Sequence, residues 1–156
     1  MYWQLALSSA VQVGIGLAGF SGIIAALRSG QATWNERDRL NLQVLLGASG
    51  WSILFSLIPF VALEFLPSGI AWNVLSFVYA TIFVGIAGLR VTQFRRGTIS
   101  GSLLRRIIPQ MAALALILVA NGLFLGASWP YVGVVIWQLV NAFLSFARLL
   151  LPGSIR

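Results

Sequence analysis

Apolar residues fill the chain in long runs, at residues 3–27, 40–65, 70–89, 107–126 and 130–151, and arginines or turn-forming residues break each run from the next. Crossing a hydrocarbon core takes about 20 apolar residues in a helix, so each run predicts a transmembrane α-helix. The pattern therefore predicts an all-α polytopic membrane protein, a single transmembrane domain over residues 1–156 built as a bundle of five spanning helices. No basic segment precedes the first run, and its apolar stretch continues well past an ordinary signal core, so it is expected to stay in the mature chain. The second and third runs are joined by Leu66-Pro67-Ser68-Gly69 and the fourth and fifth by Ala127-Ser128-Trp129. Connections this short predict tight antiparallel hairpins.

Charge then orients the bundle. All ten basic residues are arginines, against Glu36, Asp38 and Glu64. Arg28, Arg37 and Arg39 lie in the first connection, Arg90, Arg95, Arg96, Arg105 and Arg106 in the third, and Arg148 and Arg156 at the end. With five crossings these all fall on one side, and basic residues in short loops stay cytoplasmic. The N-terminus is thus expected outside and the C-terminus in the cytoplasm. The opposite side receives Tyr2, Trp3, Trp72, Trp129 and Tyr131, the ring types that collect at a membrane interface. The 90–106 segment reads first as a binding surface for anionic lipid headgroups. Thr33-Trp34-Asn35-Glu36 fits a helix capping box, with Asp38 adding negative charge in the first turns, so the second helix is expected to begin before the membrane. Pro109 falls near the start of the fourth span, where a missing N–H matters least, whereas Pro59 lies inside the second and predicts a kink or local break.

Composition excludes several chemistries. The chain has neither Cys nor His, which removes thiol catalysis, disulfides and the usual zinc or haem ligands. No cofactor or metal is expected, and without paired acids or an activated nucleophile the chain is not expected to be an enzyme. Nucleic acid is not expected as a partner, because no long basic face is present to neutralise phosphates. Ionisable residues are missing from the centres of the spans, which argues against a proton pump, a proton-coupled transporter or a voltage sensor.

Neutral polar residues remain, and they fall in helical register. Gln138, Asn141, Ser145 and Arg148 share one face of the fifth helix; Gln4, Ser8, Gln12 and Gly16 form a row at steps of four on the first. Ser49, Ser52 and Ser56 do the same on the second, and Gln110 and Asn121 project to nearly one side of the fourth. Amides in hydrocarbon need partners, so these faces are expected to turn inward. They either hold the bundle together by interhelical hydrogen bonds or line a water-filled path, the fifth helix first among them, with Arg148 ringing its cytoplasmic mouth and favouring anions. Trp51 and Trp137, inside the membrane, form a constriction or fill space. Glu64, at a helix C-terminus, either attracts cations at the outer mouth or lies in the interface without a role. Small residues let helices approach closely in lipid, so Ala18, Gly22 and Ala26, and also Gly85 and Gly88, are expected to be helix-packing residues.

The run Gly19-Phe20-Ser21-Gly22, then Trp34, Asp38-Arg39-Leu40 and Leu54-Phe55-Ser56-Leu57-Ile58-Pro59, resembles a pattern in small bacterial polytopic inner-membrane proteins that carry no assigned activity. The likeness covers roughly the first 60 residues. It implies the bacterial cytoplasmic membrane and singles out Trp34, Asp38, Arg39 and Pro59. Two functional expectations follow: a small homo-oligomeric channel or pore with a weak preference for anions, or a non-conducting scaffold or accessory subunit that binds lipid or a membrane-protein partner.

Overall fold

A computed structural model describes residues 2–28, 36–97 and 101–150. They form α1 (Tyr2–Arg28), α2 (Glu36–Phe65), α3 (Ser68–Arg95), α4 (Gly101–Ala120), a short π-helical turn (Asn121–Leu125) and α5 (Ser128–Leu150). Five of these helices are long and apolar enough to cross a membrane. The capping residues Thr33, Trp34 and Asn35 lie outside the described residues; among the described ones α2 begins at Glu36.

The helices overrun the predicted spans at the arginine-rich end. Helix α3 continues to Arg95, so Arg90 and Arg95 ride on its last two turns, and α4 begins at Gly101, ahead of Arg105 and Arg106. The long loop expected over 90–106 is thus largely helical. Helix α3 stops where Gly97 takes φ +72° and its N–H turns back to the Phe94 carbonyl at 2.9 Å. That left-handed conformation suits glycine, which has no Cβ to clash. The early start of α4 also places Pro109 inside a helix rather than at its first turn. Likewise α2 runs as one helix through Pro59, which is fully buried.

The chain divides into two compact units. The first comprises Met1–Phe60 and Val135–Arg156, and so contains α1, most of α2 and most of α5. Helix α1 buries Leu7, Ala10, Gly14, Leu17 and Ser21, alternate steps of three and four that trace a single seam along a helix. Trp3 meets Phe60 with ring centroids 5.5 Å apart, while Gly14 faces Ile53, so α1 and α2 run antiparallel. Gly14 sets that approach: a methyl group added there would lie 2.8 Å from Ile53 Cγ1 and 3.4 Å from the Ser49 carbonyl oxygen. Ser52 meets Gln138 and Phe20 meets Phe146, the rings 6.0 Å apart, which places α5 parallel to α1.

The second unit comprises Val61–Val134. Here the α2–α3 hairpin is tighter than expected, because α3 already starts at Ser68, its first bond running from the Ala71 N–H to the Pro67 carbonyl at 2.9 Å. Helix α3 packs along α4 and buries Ala71, Trp72, Leu75, Ser76, Tyr79, Ala80 and Phe83. Tyr131, from the first turn of α5, joins that face: its ring centroid is 5.6 Å from Trp72 and 5.4 Å from Tyr79, and Tyr79 stacks on Phe83 at 5.0 Å. Trp72 and Tyr131, expected in an interfacial belt, are therefore core residues. Aromatic pairs in such arrangements contribute about 0.5–1.5 kcal/mol beyond the area they bury. Tyr2 and Trp129 remain exposed.

The close contact at Gly14 gives a direct prediction. Gly14→Leu should destabilise the fold by about 1–3 kcal/mol, the usual penalty for overpacking. Gly50→Ala adds a methyl that meets nothing within 4 Å and should leave stability unchanged or slightly raised. Unfolding midpoints in detergent check both.

Candidate functional site

Three groups of polar side chains stand out within the described parts of the five apolar helices, and the structure treats each differently. In the second unit the group is built around Asn121, which is fully buried. Its Nδ2 donates to Ser76 Oγ at 2.8 Å and to the Ala127 carbonyl at 2.9 Å, and its Oδ1 accepts from the Ala127 N–H at 3.1 Å. One amide thus ties the α4–α5 turn to itself and to α3. The π turn that begins at Asn121 is closed by the Gly126 N–H on the Asn121 carbonyl at 2.8 Å, with Gly126 at φ +54°. Crowding explains both glycines here: an added methyl at Gly122 would stand 2.9 Å from the Phe77 ring, and at Gly126 2.6 Å from Asn73 Oδ1. Sequence register places Asn121 on a polar face. It gives no sign of the inserted residue, because a π turn is held by its tertiary partners rather than by local preference.

The second group lies in the first unit, where Ser49, Ser52 and Ser56 of α2 are all fully buried. Ser52 Oγ lies 3.5 Å from Gln138 Oε1, the outer limit of a hydrogen bond. Gln138 and Ser145, two of the four residues of the expected α5 row, are buried on the same unit. Asn141 is half-buried and donates to the carbonyl of Trp137 in its own helix at 3.0 Å, and Arg148 is exposed. The α5 row therefore turns Gln138 and Ser145 into the protein, leaves Asn141 half-buried and turns its arginine outward. Trp51 is half-buried and stacks on Phe55 at 5.6 Å, while Trp137 is exposed; the two are on different helices and no contact brings them together as a constriction.

The third group is on the surface. Gln4, Ser8 and Gln12 are exposed, on the side of α1 away from its buried seam. Ser8 donates to the Leu5 carbonyl at 3.1 Å. Successive members at steps of four advance about 6 Å along the axis and drift by about 40°, so Gly16 extends the row, while Gly19 and Gly22 return to the side of the helix that Ser8 and Gln4 occupy. These glycines are exposed, and a methyl added to any of them meets nothing within 4 Å. The same holds for Gly85 and Gly88 on α3; Ala18 is half-buried and Ala26 exposed. Within one copy, then, the close helix contacts are made by Gly14 and Gly122, not by the glycines singled out from sequence. Small-residue spacing alone could not separate Gly14 from Gly16, since both sit in the same apolar helix.

At the arginine-rich end, Arg90 is half-buried and donates to Gln93 Oε1 at 3.2 Å, whereas Arg95, Arg96 and Arg105 are exposed. The side chains of Asp38, Arg39 and Arg106 lie outside the described residues. Among the described residues no three His, Cys, Asp or Glu side chains gather in one place. Glu64 is exposed. No family model matches the chain, and no curated protein or solved structure matches it.

The Asn121 clamp should be structural. Asn121→Ala leaves Ser76 and both Ala127 backbone groups without that partner and should lose about 1–3 kcal/mol of stability, whereas Asn141→Ala, whose amide bonds only its own helix, should lose less than about 1 kcal/mol. Unfolding of both variants in detergent distinguishes them.

Proposed function

We propose that the protein is a small homo-oligomeric channel of the bacterial cytoplasmic membrane, with its path running between copies along α1. The observation that carries this is the exposed row Gln4, Ser8 and Gln12 on a helix otherwise apolar enough to span. Gln12 lies near the middle of the span Tyr2–Ala26, and an amide there, facing lipid, has nothing to bond. An assembly that brings several α1 helices together removes the row from lipid and lines a narrow polar path with it. This moves the expected path from α5, whose Gln138 and Ser145 are turned inward, to α1.

In this proposal the chain crosses five times, the N-terminus is outside, and every arginine lies on the cytoplasmic side. Arg148, exposed at the end of α5, and the net charge of +7 make the cytoplasmic mouth positive and give anions the advantage. Arg95, Arg96 and Arg105, also exposed, sit against anionic headgroups of the inner leaflet.

A second reading has a specific observation behind it. Gly16 extends the α1 row, Gly19 and Gly22 lie on the same side of the helix as Ser8 and Gln4, and small residues let spanning helices pack backbone to backbone. Copies packed that closely would close the lumen, and the assembly would then be a non-conducting scaffold for lipid or a membrane partner. Reconstitution into liposomes separates the two. A channel gives chloride flux down a gradient, reduced about tenfold or more in Gln12→Leu, equivalent to about 1.4 kcal/mol on the barrier, and a lower anion-to-cation ratio in Arg148→Ala. An oligomer that passes no ion under any gradient establishes the scaffold instead.

A further inference from the structure

We propose that the exposed side of α3 binds one anionic phospholipid, its phosphate on Arg95 and Arg96 and an acyl chain laid along Gly85 and Gly88. This deepens the reading of these arginines as headgroup contacts, and rests on it. Thr81, Gly85, Gly88 and Thr92 are all exposed, and their steps of four, three and four trace one stripe along the helix. The stripe lies opposite the side that buries Trp72, Tyr79 and Phe83. Its floor is bare backbone at both glycines, where an added methyl meets nothing within 4 Å. Val84 and Leu89, both exposed, flank it on either side.

Charge marks one end of the stripe. Arg95 and Arg96 come three and four residues after Thr92, one turn further along the same side. Both are exposed, and neither guanidinium has a partner among the described residues, whereas Arg90 is held by Gln93 at 3.2 Å. Glu64, the one acidic side chain among the described residues, precedes the opposite end of α3. Two full positive charges outweigh the roughly half-unit of negative charge at a helix C-terminus, so this end attracts an anion.

The same features select lipid over a second copy of the chain. Two copies packed face to face on the stripe bring four arginines together with no acid between them, whereas a lipid phosphate supplies the opposite charge. The hydroxyls need no outside partner either: Thr81 Oγ1 donates to the Phe77 carbonyl and Thr92 Oγ1 to the Leu89 carbonyl, each at 2.8 Å. Gln12 on α1 makes no such bond and needs protein around it; this stripe does not. Its length also fits. Thr81 to Thr92 covers about 16 Å at 1.5 Å per residue, and one leaflet of hydrocarbon is about 15 Å deep.

Native mass spectrometry of the detergent-solubilised protein, titrated with phosphatidylglycerol or phosphatidylcholine, reads the site without any flux measurement, so a protein that conducts nothing can still carry it. Phosphatidylglycerol should bind the more tightly. Arg95→Gln combined with Arg96→Gln should weaken it about twenty-five-fold, roughly fivefold for each arginine near a lipid surface. Gly85→Leu combined with Gly88→Leu keeps both arginines but fills the groove, and should weaken it about fivefold with the unfolding midpoint unchanged. Glycine variants that hold the lipid as tightly as the native protein would leave the headgroup contact standing and overturn the site; equal binding of the two lipids would remove both. Displacement of the lipid by millimolar glycerol 3-phosphate would make the ligand a free phosphate. Covalent dimers from Gly88→Cys oxidised in membrane vesicles would put a second copy on the stripe, and either result would contradict the proposal.

Discussion

Inside hydrocarbon no water completes a hydrogen bond, so each amide or hydroxyl carried into the membrane must find its partner in protein. That requirement organises this chain more than hydrophobicity does. Its helices are apolar on nearly every face, and transfer from water cannot decide which face of a helix should meet which neighbour. Shape and hydrogen bonding decide instead. In the second unit the decision is made by Asn121, which spends its amide on Ser76 and on both backbone groups of Ala127. In the first it is made by the close approach at Gly14 and by Ser52, which meets Gln138.

The same physics separates what could be read from sequence from what could not. Apolar run length located all five helices, because that signal depends only on the thickness to be crossed. Their ends were less legible: α3 and α4 run on through Arg90, Arg95 and Arg105, since a helix persists beyond the apolar stretch until a residue such as Gly97 stops it. Polar register correctly turned two members of the α5 row, Gln138 and Ser145, to the interior. It failed for α1, where the seam of Leu7, Ala10, Gly14 and Leu17 is buried and the amides are left outside. A rule that polar faces turn inward refers to a complete assembly, and a single copy need not obey it. Trp72 and Tyr131 were misplaced for a related reason: ring chemistry favours an interface, but in the core Trp72 meets Tyr131 and Tyr131 meets Tyr79 in tilted ring contacts.

The exposed α1 stripe thus links the fold to the proposed function. In the proposal, a polar row that a single copy leaves uncovered, next to glycines that carry nothing within reach, gives neighbouring copies both a reason to meet and room to do so. Whether the meeting leaves a lumen distinguishes a channel from a scaffold; that copies meet along α1 is common to both.

Cysteine cross-linking in native membrane vesicles tests that shared claim most directly, because the chain contains no cysteine of its own. With single cysteines at Ser8→Cys, Gln12→Cys and Val13→Cys, oxidation should yield covalent dimers from the first two, on the stripe, and little from the third, which is exposed on another side of α1. Dimers formed equally at all three positions, or at none, would contradict assembly through this face.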